Sequence, residues 1–315
     1  MIHKLNSTVG FLLLAVVLLA ACSPAKSQAS GTSTAAGGPK VVATTTIVGD
    51  VAQQVAGDQL EVTTLLPAGS DPHSFQPTPQ DITQIASADL IFTNGFGLES
   101  FLNTLLENKP ADTPVVAVSD GIQPLAGSAD HAGEADSAQS AQDPHVWTDP
   151  NNVLIWVDNI TAALQTLDPD HASDFAANAA AYRQQLKQLD AWVRQQVAQV
   201  PASNRLLVTD HATFAYFAER YQFQQVGAVV PGFSTLSEPS AQELAALEDQ
   251  IRQLGVKAIF VGDTVNPNLS ERVAEDTGIQ IVFLHTGSLT GPDGSAPTYL
   301  DYIRYNVNAI VSALK

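Results

Sequence analysis

Two tripeptides, Asp71-Pro72-His73 and Asp143-Pro144-His145, repeat one arrangement in a chain that holds seven histidines. A proline fixes its own φ and biases the residue before it toward extended backbone, so each imidazole is presented from a stiffened loop. Stiff presentation suits a metal ligand, because donor atoms ordered in advance lose less freedom when an ion arrives. His211 follows an apolar run, Leu206-Leu207-Val208-Thr209-Asp210-His211, in a similar way. The expectation is that His73, His145 and His211 converge on one metal ion. A lone buried histidine is more often a hydrogen-bonded core residue, and these three are too far apart in sequence to make a compact zinc motif. Convergence must therefore come from the fold. His3 in the N-terminal apolar segment and His171 at a helix start are not candidates.

The elements that would position them alternate strand with helix. Val41 to Thr46 and Leu60 to Leu66 read as strands on either side of a helix over Ile47 to Ala56. Pro79 and Asp81 open a helix toward Ala86, Leu90 to Thr93 is a short strand, Leu98 to Glu107 a helix and Val115 to Val118 a strand. After Pro150 a helical stretch runs to about Leu167. From Asp170 to Val200, apolar residues at Phe175, Ala179, Tyr182, Leu186, Leu189, Val193 and Val197 alternate spacings of four and three, the signature of one buried helix face. At 1.5 Å per residue such a helix would run roughly 45 Å. The alternation then resumes: strands at Leu206 to Thr209, Phe223 to Val229, Ala258 to Val261 and Gln280 to Leu284, with helices at Thr213 to Arg220, Gln242 to Leu254, Leu269 to Asp276 and Tyr299 to Ala313. Pro239 suits the first turn of the second of these.

This pattern predicts an α/β protein of two open parallel-sheet lobes, residues 40–168 and 202–315, bridged by one long helix within 169–201. Ligands of open α/β sheets bind beyond the carboxyl ends of the strands. His73, His145, His211, Asp263 and His285 all follow strands, which places the metal site in the cleft between the lobes.

Composition narrows the class. The chain has 315 residues, 45% of them hydrophobic, and carries 14 basic against 32 acidic residues for a net charge of −18. That balance excludes nucleic acid as a partner, since phosphate neutralisation needs clustered Lys and Arg. Lys4 precedes the apolar run Phe11 to Ala21, and Leu19-Ala20-Ala21-Cys22 closes it. A run of about eleven residues is too short for a spanning helix and suits a signal-peptide core. Residues 1–21 are read as a lipoprotein signal peptide, with Cys22, the only cysteine in the chain, as the lipidated residue. Residues 22–39, rich in Ser, Ala, Gly and Thr, form a flexible tether. With no second cysteine, no intramolecular disulfide is available. Residues 126–143 are small, polar and acidic, and include His131; they interrupt the alternation as an insertion.

Taken together, these residues resemble the metal-binding lipoproteins that feed zinc and manganese ABC importers, including the lipoprotein adhesins. The resemblance runs from about Val41 to the C-terminus. Its markers are Asp71-Pro72-His73 with Pro77, Asp143-Pro144-His145-Val146-Trp147 with Asp149-Pro150, His211 with Tyr216 and Tyr221, Glu238-Pro239-Ser240, and Tyr299 to Asn306. It implies that His73, His145 and His211 are metal ligands. Manganese-selective members often carry a carboxylate where this chain has His211, and many members supply an aspartate at the position of Gly287. The fourth position is left to water, Asp263 or His285.

Three imidazoles suit Zn²⁺, whereas Mn²⁺ prefers more oxygen donors. The His131-bearing segment also resembles a shortened form of the His-rich loop of zinc-specific relatives. The expected cargo is therefore Zn²⁺, with Mn²⁺ or iron as the alternative, and affinity is expected to fall as pH drops through roughly 6.5. The implied partners are an ABC permease and its ATPase, with the chain a monomer held outside the cytoplasm on the bacterial membrane through Cys22. A zinc hydrolase is the competing class, but no His-Glu-x-x-His or nucleophile motif is present, and Asp263 is the sole candidate base. The reading is of a carrier, not an enzyme.

Overall fold

The computed structural model describes residues 38–99, 101–125 and 142–315. The signal segment, Cys22, the tether up to residue 37 and His131 lie outside the described residues. No helix among the described residues is long and apolar enough to cross a membrane.

The first lobe contains β1 (Val41–Ala43), α1 (Thr46–Ala56), β2 (Val62–Thr64), α2 (Pro79–Ala86), β3 (Leu90–Thr93), α3 (Leu102–Leu106) and β4 (Val115–Ala117). Then come α4 (Pro150–Leu167) and α5 (Ala172–Val197). The second lobe contains β5 (Leu206–Thr209), α6 (Ala215–Tyr221), β6 (Gln224–Ala228), α7 (Ala241–Leu254), β7 (Ala258–Gly262), α8 (Asn268–Thr277), β8 (Gln280–Leu284) and α9 (Tyr299–Leu314). The two four-stranded sheets are wholly parallel and share one topology, β2-β1-β3-β4 and β6-β5-β7-β8. In each sheet the strand order reverses between the two central strands, which opens a crevice at their carboxyl ends.

Local chemistry sets the boundaries. β1 and β3 are fully buried apolar runs, as central strands covered on both faces should be. The first strand stops at Ala43 instead of Thr46 because Thr45 caps α1, its hydroxyl accepting from the Val48 amide. β2 is likewise shorter than expected. Thr78 and Asp81 form a capping box with Pro79 in the first turn of α2, and Asp149 caps α4 ahead of Pro150. Pro239 falls outside α7, because Ser240 and Glu243 make a capping box one residue later. α3 holds only Leu102–Leu106 of the expected helix, as its cap, Phe101, makes no side-chain hydrogen bond.

α5 buries the seven residues of the apolar stripe and no others. Its 26 residues correspond to about 39 Å. The expected helix loses its first turn to a short 3-10 segment, Pro169–His171. One core cluster runs continuously from α1 and α4 through α5 to α6 and α9, so residues of both lobes pack around this helix. Two smaller clusters fill the outer faces of the sheets.

Candidate metal centre

The three histidines leave three different strand-to-helix loops and meet. Their ring centroids form a nearly equilateral triangle with edges of 5.3, 5.4 and 5.1 Å. His73 Nε2 lies 3.2 Å from His145 Nε2. Among the described residues, theirs is the one group of His, Cys, Asp or Glu whose donor atoms lie close enough to hold an ion together, all within 4.8 Å. Tetrahedral bonds of 2.0–2.1 Å put two nitrogens about 3.3 Å apart, so the His73–His145 spacing is already that of a coordination edge. His145 and His211 are buried and His73 is half-buried.

Both Asp-Pro-His turns use the same local device. Asp71 Oδ1 accepts the His73 amide at 3.0 Å, and Asp143 Oδ1 accepts the His145 amide at 2.9 Å. Beyond that they differ. Asp143 Oδ1 also accepts from His145 Nδ1 at 2.8 Å, which leaves the His145 Nε2 lone pair facing His73. Asp71 instead uses Oδ2 to accept the hydroxyls of Ser74 (2.9 Å) and, across the cleft, Thr235 (2.6 Å).

His211 is held by the residue before it. Asp210 Oδ1 accepts from both the His211 amide (2.7 Å) and Nδ1 (3.0 Å), while Oδ2 accepts the Gly262 amide at 2.8 Å. With Nδ1 donating, Nε2 is the acceptor, and the Thr213 hydroxyl fills it at 2.7 Å. Phe233 and Trp147 pack around His145, with ring centroids 6.3 and 5.2 Å away. Sequence reasoning did not assign Asp143, Asp210 or Thr213; the carboxylate–imidazole spacing of one or two residues was the available signal.

Electrostatics suit a cationic ligand. Burial, then the neighbouring His145 and His211, hold His73 down at about 3. Burial and His211 likewise keep His145 well below the usual imidazole range. Neutral rings at ordinary pH leave lone pairs available for a metal. Burial pushes the Asp143 carboxyl up to about 7. Burial acts to raise Asp210 as well, but the adjacent His211 and the amides of His211 and Gly262 hold it below the usual range.

Asp263 and His285 do not join the group. Asp263 Oδ2 pairs with His285 Nδ1 at 2.6 Å, and His285 Nε2 meets Ser295 Oγ at 2.8 Å. Among the described residues neither belongs to the group whose donor atoms lie within 4.8 Å of one another.

Comparison with known proteins gives the family. The family model described as the periplasmic zinc-uptake complex component A matches residues 41–313. The manganese-binding lipoprotein MntA of Halalkalibacterium halodurans is 35% identical over 305 residues, 96% of this chain and 97% of the relative. The iron-binding protein YfeA of Yersinia pestis is 36% identical over 273 residues, 86% of this chain and 85% of the relative. Among solved structures, the periplasmic zinc binding protein TroA from Treponema pallidum superposes with a TM-score of 0.79 at 30% identity, covering 88% of this chain and 99% of that one. A manganese-bound periplasmic metal binding protein from Candidatus Liberibacter asiaticus gives 0.75 at 30% identity, covering 88% and 100%. With the family matched over almost the whole described chain, the protein belongs to the zinc-uptake component A family, the metal-binding substrate-binding proteins of ABC importers.

Proposed function

We propose that this protein captures Zn²⁺ through His73, His145 and His211 and delivers it to the permease of an ABC importer powered by a cytoplasmic ATPase, catalysing nothing itself. The observation that carries the reading is the 3.2 Å separation of His73 Nε2 and His145 Nε2 inside a triangle of three imidazoles that, among the described residues, no carboxylate donor joins. An all-nitrogen set is borderline-soft and favours zinc over the harder manganese ion. Gly287 provides no side-chain donor. The net charge of −18 adds a long-range attraction for cations.

In this reading Cys22 carries the lipid anchor, residues 22–39 tether a monomer outside the cytoplasm, and residues 169–201 link lobes 40–168 and 202–315. A manganese reading is supported by relatives named as manganese-binding, one of them 35% identical, and by a similar solved structure that holds manganese. Competitive titration of residues 40–315 with Zn²⁺ against Mn²⁺ separates the two. One tightly held zinc per chain, lost in His73→Ala, His145→Ala and His211→Ala alike, is the expected result. Preference for manganese would overturn the metal, and absence of any stoichiometric ion would overturn the site.

A further inference from the structure

One segment of the second lobe, residues 230–236 after β6, touches the surroundings of all three histidines. It begins beside His211, where the Val230 amide donates to the Asp210 carbonyl at 2.7 Å and the Ala212 amide donates to the Gly232 carbonyl at 3.0 Å. The segment is thus bonded to the residue on each side of His211. Gly232 has a φ of 88°, a conformation that a side chain would strain. Phe233 then packs against His145, with ring centroids 6.3 Å apart. Thr235 completes the crossing: its hydroxyl donates to Asp71 Oδ2 at 2.6 Å, two residues before His73. Leu236, just past this bond, is exposed.

The loop that carries His73 is bonded to the second lobe at two places. The Gly69 amide donates to Ser288 Oγ at 2.9 Å, at the start of the loop, and Asp71 accepts from Thr235 at the His73 turn itself. Asp71 also holds the His73 amide through Oδ1, so whatever moves this carboxylate moves His73. His73 is half-buried where His145 and His211 are buried, which makes its side the open side of the triangle. A hydroxyl bonded to a carboxylate is a short, charge-assisted contact, stronger than a neutral pair.

We infer that residues 230–236 form a strap that governs the rate of metal release, with the Thr235–Asp71 bond as its catch. The inference rests on the reading of the three histidines as ligands. With the catch broken, the end of the strap anchored beside His211 stays in place, while the far end is free to carry Phe233 off His145 and to release the His73 turn. Thr235 offers no donor to the ion. It is a positioning residue that acts on the opening of the site and leaves the coordinating set unchanged.

The test is stopped-flow release of zinc into excess chelator from wild type, Thr235→Val and Thr235→Ser. Thr235→Val keeps the shape and loses the hydroxyl, and release is expected to be about tenfold faster. Thr235→Ser keeps the hydroxyl and should release close to the wild-type rate. In the metal-free protein, amide exchange at His73 and Ala212 should quicken in Thr235→Val while exchange within α5 stays the same. A wild-type release rate in Thr235→Val, Thr235→Ser as fast as Thr235→Val, or exchange that quickens equally across α5 would overturn the inference. A wild-type protein that holds no zinc would overturn the three-histidine reading instead. The exchange measurement, made without metal, tells these failures apart, because it reports the catch whether or not an ion binds.

Discussion

Asp143 grips His145 twice with one oxygen: Oδ1 accepts both the backbone amide and ring Nδ1, at 2.9 and 2.8 Å, while Oδ2 is buried with no partner among the described residues. A carboxylate behind a ligand imidazole fixes its tautomer and raises its basicity. Asp143→Asn retains an acceptor for these bonds and loses the charge. Zinc affinity should drop by about 10–100-fold, with His145 still in place. Isothermal titration at pH 7.5 measures this, and an unchanged affinity would reduce Asp143 to a turn-former.

Thr213 is expected to act in the opposite direction. Its hydroxyl occupies His211 Nε2 at 2.7 Å, and an ion at that nitrogen must displace it. Thr213→Val keeps the shape and leaves the nitrogen unpaired in the empty protein, a penalty of about 1 kcal/mol that metal binding relieves. Affinity should rise about fivefold. A decrease would mean that the hydroxyl helps to hold the ion.

The pH dependence should also depart from that of free imidazole. Because His73 titrates at about 3 and His145 well below the usual range, neither ring competes for protons at pH 5–7. At these two rings burial works against the expected loss of affinity through pH 6.5, moving their competition with protons to lower pH. Asp143, at about 7, is the group that loading must ionise. Affinity should fall with a slope near one proton per ion between pH 7 and 5, and Asp143→Asn should flatten it. Titrations in buffers of different ionisation enthalpy count the protons released.

Stability of the empty protein has its own sign. Between about pH 6.5 and 3 the unfolded chain binds protons that folded His73 refuses, so that contribution is lost as pH falls. Asp143 opposes this: between about 3.9 and 7 the folded chain retains a proton that the unfolded chain releases, so its contribution is lost as pH rises. With His145 on the side of His73, the balance should favour declining stability from pH 6.5 to 4, as urea denaturation of chelator-treated protein would register.

Metal removal should soften the protein without unfolding it. The core around α5 is continuous and independent of the histidines. Zinc at about 100 times its Kd adds about 2.7 kcal/mol, or roughly 4–5 °C in Tm for a chain of this size. Calorimetry with and without chelator measures the shift. Collapse of the empty protein at room temperature would mark the ion as structural rather than carried.

What was legible in the sequence followed from periodicity and caps. The α5 stripe was read residue for residue, because a helix leaves its buried face in the spacing itself. The βα alternation gave two parallel sheets. The meeting of His73 and His145 across 72 positions was not legible from spacing and needed the family markers. Pro239 misled because a capping box one residue later took precedence. Asp143 and Asp71 look alike in their tripeptides, yet only Asp143 turns back on its own ring, and nothing local in the sequence distinguishes them.

The two aspartates behind the ligands also set a balance of charge. Imidazoles that coordinate a metal are neutral and contribute none, so an ion bound by the three would bring its whole valence into a buried space. In the proposed site Asp210, its carboxyl held below the usual range, would meet the ion ionised, and Asp143, raised by burial to about 7, would give up its proton when the ion comes in. Two negative charges then offset a divalent cation. A monovalent ion would leave an excess of anion, a trivalent ion an excess of cation, and both are penalised in a medium that screens poorly. If the three histidines hold the ion as proposed, discrimination by valence would be set one layer behind the coordinating atoms.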